Sequence, residues 1–177
     1  MTRIYIVGFM GSGKTTVAKR LANRLGWEWF DTDRMFEERF HISVNDFFNK
    51  YDEPLYRRLE TEMLHTTGHL GQSIISTGGG TPCFNDNMDW MNQHGLTLFL
   101  KVSPSTAYDR LLHAKVKRPL AVNRTPEELL AFVNECFTER LPFYEKAQIT
   151  IKGEDLDLDQ MIATLQGLIN LSTTPTT

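Results

Sequence analysis

The stretch Gly8-Phe-Met-Gly-Ser-Gly-Lys14-Thr15 directly follows the short apolar run Ile4-Tyr-Ile-Val7, and this juxtaposition constrains the fold more than anything else in the chain. A buried strand feeding a glycine-rich turn, with a helical pattern starting at Lys14, is the arrangement of a Walker A phosphate loop in a parallel α/β sheet. The chemistry follows from the residue types. Gly11 and Gly13 have no Cβ to block a phosphate, so successive backbone N–H groups can turn inward as an anion nest that includes Ser12. The helix N-terminus adds partial positive charge at the same point. Lys14 can reach the outer phosphates as a mobile point charge, and the Thr15 hydroxyl can ligate the Mg²⁺ that accompanies them. Thr16 either helps cap the helix or holds the α-phosphate. The competing reading is a glycine-rich strand-to-helix turn without a ligand.

With 177 residues, the chain is expected to form one domain over 1–171 with a sizeable core. A hydrophobic share of 41% and a charged share of 23% fit a soluble globular protein, and the net charge of −3 argues against nucleic acid as partner, which needs clustered excess Lys and Arg. Small-molecule partners and a monomer are the expectation. Cys83 and Cys136 are isolated thiols without metal-ligand spacing, which suits a reducing compartment. No apolar run approaches bilayer length, and Met1-Thr-Arg3 leads straight into the first strand rather than into a signal peptide, so the cytoplasm is the expected location. His65 and His69 stand four apart, but Thr66 occupies the place where a zinc-protease helix needs glutamate, and both read as ordinary histidines.

Strand-like runs alternate with helical patterns, the signature of βαβ units. The strands are drawn at 3–7, 27–30, 73–76, 96–102 and 148–151. Helices are drawn at 15–25, 31–40, 46–51, 54–69, 85–94, 103–112, 125–140 and 157–171. Gly26 ends the first helix as a C-cap, and Pro142 should break or kink the helix that carries Arg140. Residues 31–62 and 112–124 read as excursions from the core, the first for an acceptor and the second as a lid over the phosphates. The tail 172–177 has nothing to bury and is expected to be disordered.

Four further segments can carry chemistry. Asp31-Thr-Asp33 stands at the C-terminal end of the second strand, where open parallel sheets hold their ligands. Asp31 could hold a water of the Mg²⁺ shell and Asp33 could orient an acceptor hydroxyl; alternatively either caps the following helix. Arg57 lies three residues before Glu60, so the pair shares a helical face and could form a buttressed clamp for a small anion. Spacing alone favours a solvated ion pair there. Thr77-Gly78-Gly79-Gly80 follows the third strand; positive φ explains one or two of these glycines, and three together favour close approach of a ligand. Lys115-Val-Lys117-Arg118-Pro119-Leu120 is a basic segment that could neutralise a transferring phosphoryl group or simply be a solvated charge run. Arg140 at the end of its helix is adequately explained by the helix dipole.

In order, GSGKTT, DTD, YRRLE, TGGG, KRPL and RLPFY resemble the shikimate kinases, small P-loop enzymes of the nucleoside-monophosphate-kinase type that phosphorylate the 3-hydroxyl of shikimate with ATP. The resemblance covers Ile4 to about Ile151. It implies a five-stranded parallel sheet in the order 2-3-1-4-5 flanked by helices. It further implies that Lys14, Asp33 and Arg118 are the catalytic groups. Asp33, Arg57, Gly79 and Arg140 would bind the acceptor, the two arginines gripping its carboxylate and Glu60 orienting Arg57. ATP would be held by Gly11 to Thr16, with Arg110 near the adenine and Arg118 as the lid arginine, and Mg²⁺ by Thr15 and Asp31. Departures from the family pattern are Asp52 for a common glycine, Tyr56 for phenylalanine, Ala121 after Leu120, and Ile151-Lys-Gly-Glu154 in place of an Asp-Thr on the adenine side. Another small-molecule kinase, such as a gluconate or nucleoside-monophosphate kinase, remains an alternative from the residues alone. A nucleotide-binding module without catalysis is the other.

Overall fold

The computed structural model describes residues 2–114 and 124–169. Five strands, β1 (Arg3–Val7), β2 (Glu28–Asp31), β3 (Ser73–Ser76), β4 (Leu96–Lys101) and β5 (Ile149–Lys152), pair in parallel in the order β2-β3-β1-β4-β5. This is the expected α/β architecture. Each strand's alternate residues serve opposite faces. Ile4, Ile6, Ile74, Leu98 and Leu100 pack on one face with α1 (Lys14–Leu25) and α8 (Leu158–Ile169), while Tyr5, Val7, Ile75 and Phe99 pack on the other. There they meet α5 (Asn87–His94), α6 (Pro104–Leu112) and α7 (Pro126–Tyr144). Burial on both faces is why the central strands read as continuous apolar runs.

The first excursion folds as α2 (Thr32–Phe40), α3 (Val44–Lys50) and α4 (Glu53–Thr66), with a separate aromatic core of Phe36, Phe47, Tyr56 and Met63. Two edges differ from expectation because a side chain caps the helix earlier. Ser43 accepts from Asp46 N at 3.0 Å and starts α3 at Val44 rather than Asp46. Asp52 accepts from Leu55 N at 2.8 Å and starts α4 at Glu53. The departure at Asp52 is therefore a helix cap, which glycine nearly matches. Asp52→Ala is expected to lower stability by about 1 kcal/mol with unchanged kinetics, and Asp52→Gly by only about a few tenths, as read from urea midpoints. An unshifted Ala variant would refute the cap.

Three other boundaries also moved. The stretch expected as the end of the fourth helix is a 3₁₀ turn over Thr67–His69, and Asn85 and Asp86 precede α5 with φ of 51° and 55° rather than opening it. His65, exposed on α4, stacks on Trp90 at 4.6 Å, and His94 stacks on the same indole at 4.0 Å. Helix α7 does not stop at Arg140 but runs through Pro142 to Tyr144. Proline removes one donor near the end of the helix, yet Glu145 N resumes the ladder to Leu141 O at 3.0 Å. Tyr144, fully buried, anchors the last turn. Arg118, expected in the lid, and the tail 172–177 lie outside the described residues.

Candidate active site

The phosphate loop is built as its glycines require. Gly11 and Gly13 have φ of +78° and +95°. Gly8, at φ +146°, also leaves no room for a side chain, since a Cβ would come within 2.7 Å of the Leu100 carbonyl oxygen. Helix α1 then begins without a side-chain cap and without an acidic residue in its first turn. By contrast, α2, α3, α4, α6 and α7 are capped by Asp31, Ser43, Asp52, Ser103 and Thr125. The uncapped N–H groups of α1 are thus left for an anionic ligand. Lys14 is buried, and its Nζ donates to the Gly8 and Phe9 carbonyls, each at 2.9 Å, which holds the ammonium at the loop. The Ser12 hydroxyl is buried and has no hydrogen-bond partner among the described residues. Arg110 Nη1 donates to Gly11 O at 3.2 Å and Ser12 O at 2.9 Å, so the arginine rests on the outer side of the loop. Thr16 is exposed at the same mouth.

Asp31 satisfies both sequence readings at once. Its Oδ1 caps α2, accepting from Asp33 N at 3.1 Å and Arg34 N at 3.4 Å. Its Oδ2 accepts from Thr15 Oγ1 at 2.7 Å, and that hydroxyl lies 3.3 Å from Ser76 Oγ. Strand β2 ends one residue later than expected, at Asp31 itself, which delivers the carboxylate beside the phosphate loop.

The three glycines after β3 owe their identity to close packing and not to backbone strain, because none of them has positive φ. A Cβ on Gly78 would come within 2.9 Å of both Asp33 Oδ1 and Glu60 Oε1, and one on Gly80 within 2.6 Å of Arg57 Nη1. One on Gly79 would press on Met10 N at 3.1 Å. Small backbone lets the carboxylates, the arginine and the phosphate loop converge. The turn is itself fixed at several points: Gly78 N donates to Thr32 Oγ1 at 3.1 Å, Thr81 Oγ1 to Glu60 Oε1 at 2.6 Å, and Tyr144 Oη to Gly79 O at 2.6 Å.

Arg57 is not a solvated helix cation. Its side chain is 7% exposed; Nη1 donates to Glu60 at 2.9 Å, while Nε and Nη2 donate to Glu53 Oε1 at 3.0 and 2.8 Å. The guanidinium lies 4.2 Å from the Phe84 ring centroid. Burial works against its charge, but Glu60 and Glu53 outweigh that cost and hold its pKa above the ordinary value. A guanidinium has five N–H donors, and three serve these carboxylates, so two remain for a ligand. Arg140 is also buried, and no carboxylate of the described residues forms an ion pair with it. A cation taken out of water without a counter-charge is costly, and the cost is relieved by an anion entering beside it. Nearby, burial pushes the Cys83 thiol up to about 12 although Arg140 and Arg57 act against it, so the thiol stays protonated and inert.

The phosphate loop and the two buried arginines share one cavity of about 400 Å³, lined among others by Lys14, Thr15, Asp33, Arg57, Gly79 and Arg140. Gly11, Gly13, Thr16, Asp31 and Arg110 also line it. Sequence reasoning missed Glu53, Tyr144, Thr32 and Phe84. Glu53 could have been found, standing four residues before Arg57 on one helical face. The others touch their partners only through the tertiary fold.

The comparisons with known proteins agree with this geometry. A family model for shikimate kinase matches residues 10–168. A curated shikimate kinase of Phocaeicola vulgatus is 45% identical over 89% of this chain and 90% of its own length. The crystal structure of shikimate kinase from Bacteroides thetaiotaomicron, 39% identical, superposes with a TM-score of 0.88 over 96% of this chain and 99% of that one. That of the Acinetobacter baumannii shikimate kinase in complex with shikimate, 30% identical, has a TM-score of 0.82 over 96% and 94%. An uncapped phosphate loop facing two buried arginines is thus joined to sequence identity along nearly the whole fold, and the chain belongs to the shikimate kinase family of ATP-dependent kinases.

Proposed function

We propose that the chain transfers the γ-phosphoryl group of ATP directly to the 3-hydroxyl of shikimate, giving shikimate 3-phosphate and ADP, with the acceptor seated between Asp33, Arg57, Gly79 and Arg140. The observation that carries this reading is the buried Arg140, without an ion pair among the described residues, in one cavity with Arg57 and the phosphate loop. Two arginines with donors to spare fit a carboxylate, and a carboxylate oxygen such as that of Asp33 fits a hydroxyl. The ATP phosphates lie in the nest from Gly11 to Thr16, where Lys14 balances charge on the outer oxygens. Asp33 accepts the hydrogen bond of the 3-hydroxyl, aligns its oxygen with the γ-phosphorus and takes its proton as the new P–O bond forms and the bond to ADP breaks. Arg110 serves the adenine side. Arg118, outside the described residues, is assigned to the lid from the family resemblance.

The metal fits the oxygen donors present. Thr15 Oγ1, Asp31 Oδ2 and Ser76 Oγ form an all-oxygen group beside the nest, and Mg²⁺ favours one or two protein oxygens together with phosphate oxygens and water. Bound through Thr15, with Asp31 holding a water of its shell, Mg²⁺ would neutralise charge on the β- and γ-phosphate oxygens. No helix among the described residues is long and apolar enough to cross a membrane. We assign the chain as a cytoplasmic monomer with one kinase domain over 1–171, in which 31–62 is the acceptor excursion and 112–124 the lid. The test is ADP release measured with shikimate, quinate, gluconate and a nucleoside monophosphate side by side. Turnover is expected with shikimate; turnover with gluconate or the nucleotide and none with shikimate would overturn the reading.

A further inference from the structure

Tyr144 closes the RLPFY segment, in which only Arg140 was given a role. It is fully buried, and its ring packs against Phe99 with centroids 5.3 Å apart. Burial of a phenol hydroxyl is favourable only when the hydroxyl is bonded. Here Oη donates to Gly79 O at 2.6 Å, across 65 residues of sequence. The carbonyl it holds belongs to the Gly79–Gly80 peptide, which is trans. In a trans peptide the N–H points opposite to the C=O, so pulling the Gly79 oxygen toward Tyr144 turns the Gly80 N–H the other way. Both glycines line the acceptor cavity, and Tyr144 does not.

The same hydroxyl interacts with the Arg140 guanidinium, whose charge and hydrogen bond oppose the rise in pKa that burial imposes on the phenol. Tyr144 stands one helical turn after Arg140 on α7, hence on the same face. The hydroxyl therefore ties the backbone of the glycine turn to the helix whose preceding turn carries Arg140, the arginine that has no carboxylate partner among the described residues. These groups lie on separate elements, and without a tie their spacing would follow the independent motions of the turn and the helix.

We propose that Tyr144 is a positioning residue of the acceptor pocket: its hydroxyl locks the Gly79–Gly80 peptide to helix α7, one turn from Arg140, and so sets the span across which the acceptor carboxylate is gripped. This rests on the reading of the cavity as the shikimate site. Tyr144 does not touch the reacting atoms, and its effect falls on acceptor binding.

The experiment compares Tyr144→Phe, Phe99→Leu, Arg140→Met and the double variant Tyr144→Phe/Arg140→Met with the native chain, varying shikimate at saturating ATP and then the reverse. Tyr144→Phe is expected to raise KM for shikimate about tenfold while kcat and KM for ATP change less than about threefold. In the Arg140→Met background the same change should raise KM by less than about threefold, because the two groups act as one unit. Phe99→Leu, which loosens the ring but keeps the hydroxyl, should lower the melting temperature and leave KM for shikimate unchanged. An unchanged KM in Tyr144→Phe, full additivity with Arg140→Met, an equal rise in Phe99→Leu, or a Tyr144→Phe chain that does not fold would each make the tyrosine a structural residue and overturn the proposal. Native protein that turns over no shikimate would instead overturn the assignment of the pocket, independently of Tyr144.

Discussion

Lys14→Met is expected to lower kcat by about 10²–10³-fold while the chain still folds. Lys14 is buried at the start of α1, where its ammonium is tied to the Gly8 and Phe9 carbonyls and so is preorganised beside the nest. A group already in place costs no reorganisation when charge builds on the transferring phosphoryl oxygens, which is where such a cation has its largest effect. Methionine has nearly the length and bulk of the lysine stem, so the packing around α1 survives. The two carbonyls lose a donor, and a modest drop in melting temperature should accompany the kinetic loss. The measurements are single-turnover phosphoryl transfer and a thermal melt. Turnover near the native rate in a folded Lys14→Met chain would remove the lysine from the mechanism.

Arg57→Ala should raise KM for shikimate by about 10²–10³-fold and leave KM for ATP within about threefold, since truncating one side of a buried charge pair typically costs about 2–5 kcal/mol of binding. The buried surroundings add a second consequence. Glu60 is only 4% exposed and would lose its cationic partner, so the alanine variant should also lose stability, by about 3–5 kcal/mol. Arg57→Lys separates the two effects. An ammonium can still pair with Glu60, but it has no planar fork with which to serve two carboxylates and a ligand together. It should fold nearly as well as the native chain and still bind shikimate poorly. Steady-state kinetics with each substrate varied in turn, alongside denaturant melts, decide the matter; equal losses for ATP and shikimate would show that Arg57 supports the fold and not the acceptor.

The two predictions differ in how far the sequence supports them. Lys14 is legible from its neighbours, because strand, glycines and helix start are contiguous and each acts over a few residues. The parallel sheet was legible for the same reason: buried strands and amphipathic helices alternate visibly, and β1, β3 and β4 begin at or within one residue of their expected starts. Arg57 was different. Its spacing to Glu60 equally suits a solvated pair, and the family resemblance was needed to weight it as a clamp. The three glycines at 78–80 were legible as unusual, but their reason was not. They are required by Asp33, Glu60, Arg57 and Met10 arriving from other elements. Pro142 misled because local chemistry argues for a helix end, whereas the burial of Tyr144 two residues later outweighs the lost donor.

By itself, the sequence determined the sheet class, the phosphate loop and the Gly26 end of the first helix. These depend on dihedral preferences and hydrogen bonds that close within a few residues. The tertiary structure alone decided which charges are buried: Arg57 enclosed by Glu53, Glu60 and Phe84, Arg140 withdrawn from water without a carboxylate partner among the described residues, and Tyr144 tied to Gly79. Burial belongs to the packing of distant segments. It is burial that turns an ordinary surface arginine into a group that favours an anion beside it, and on the proposed function that anion is the acceptor's carboxylate, opposite the phosphate loop.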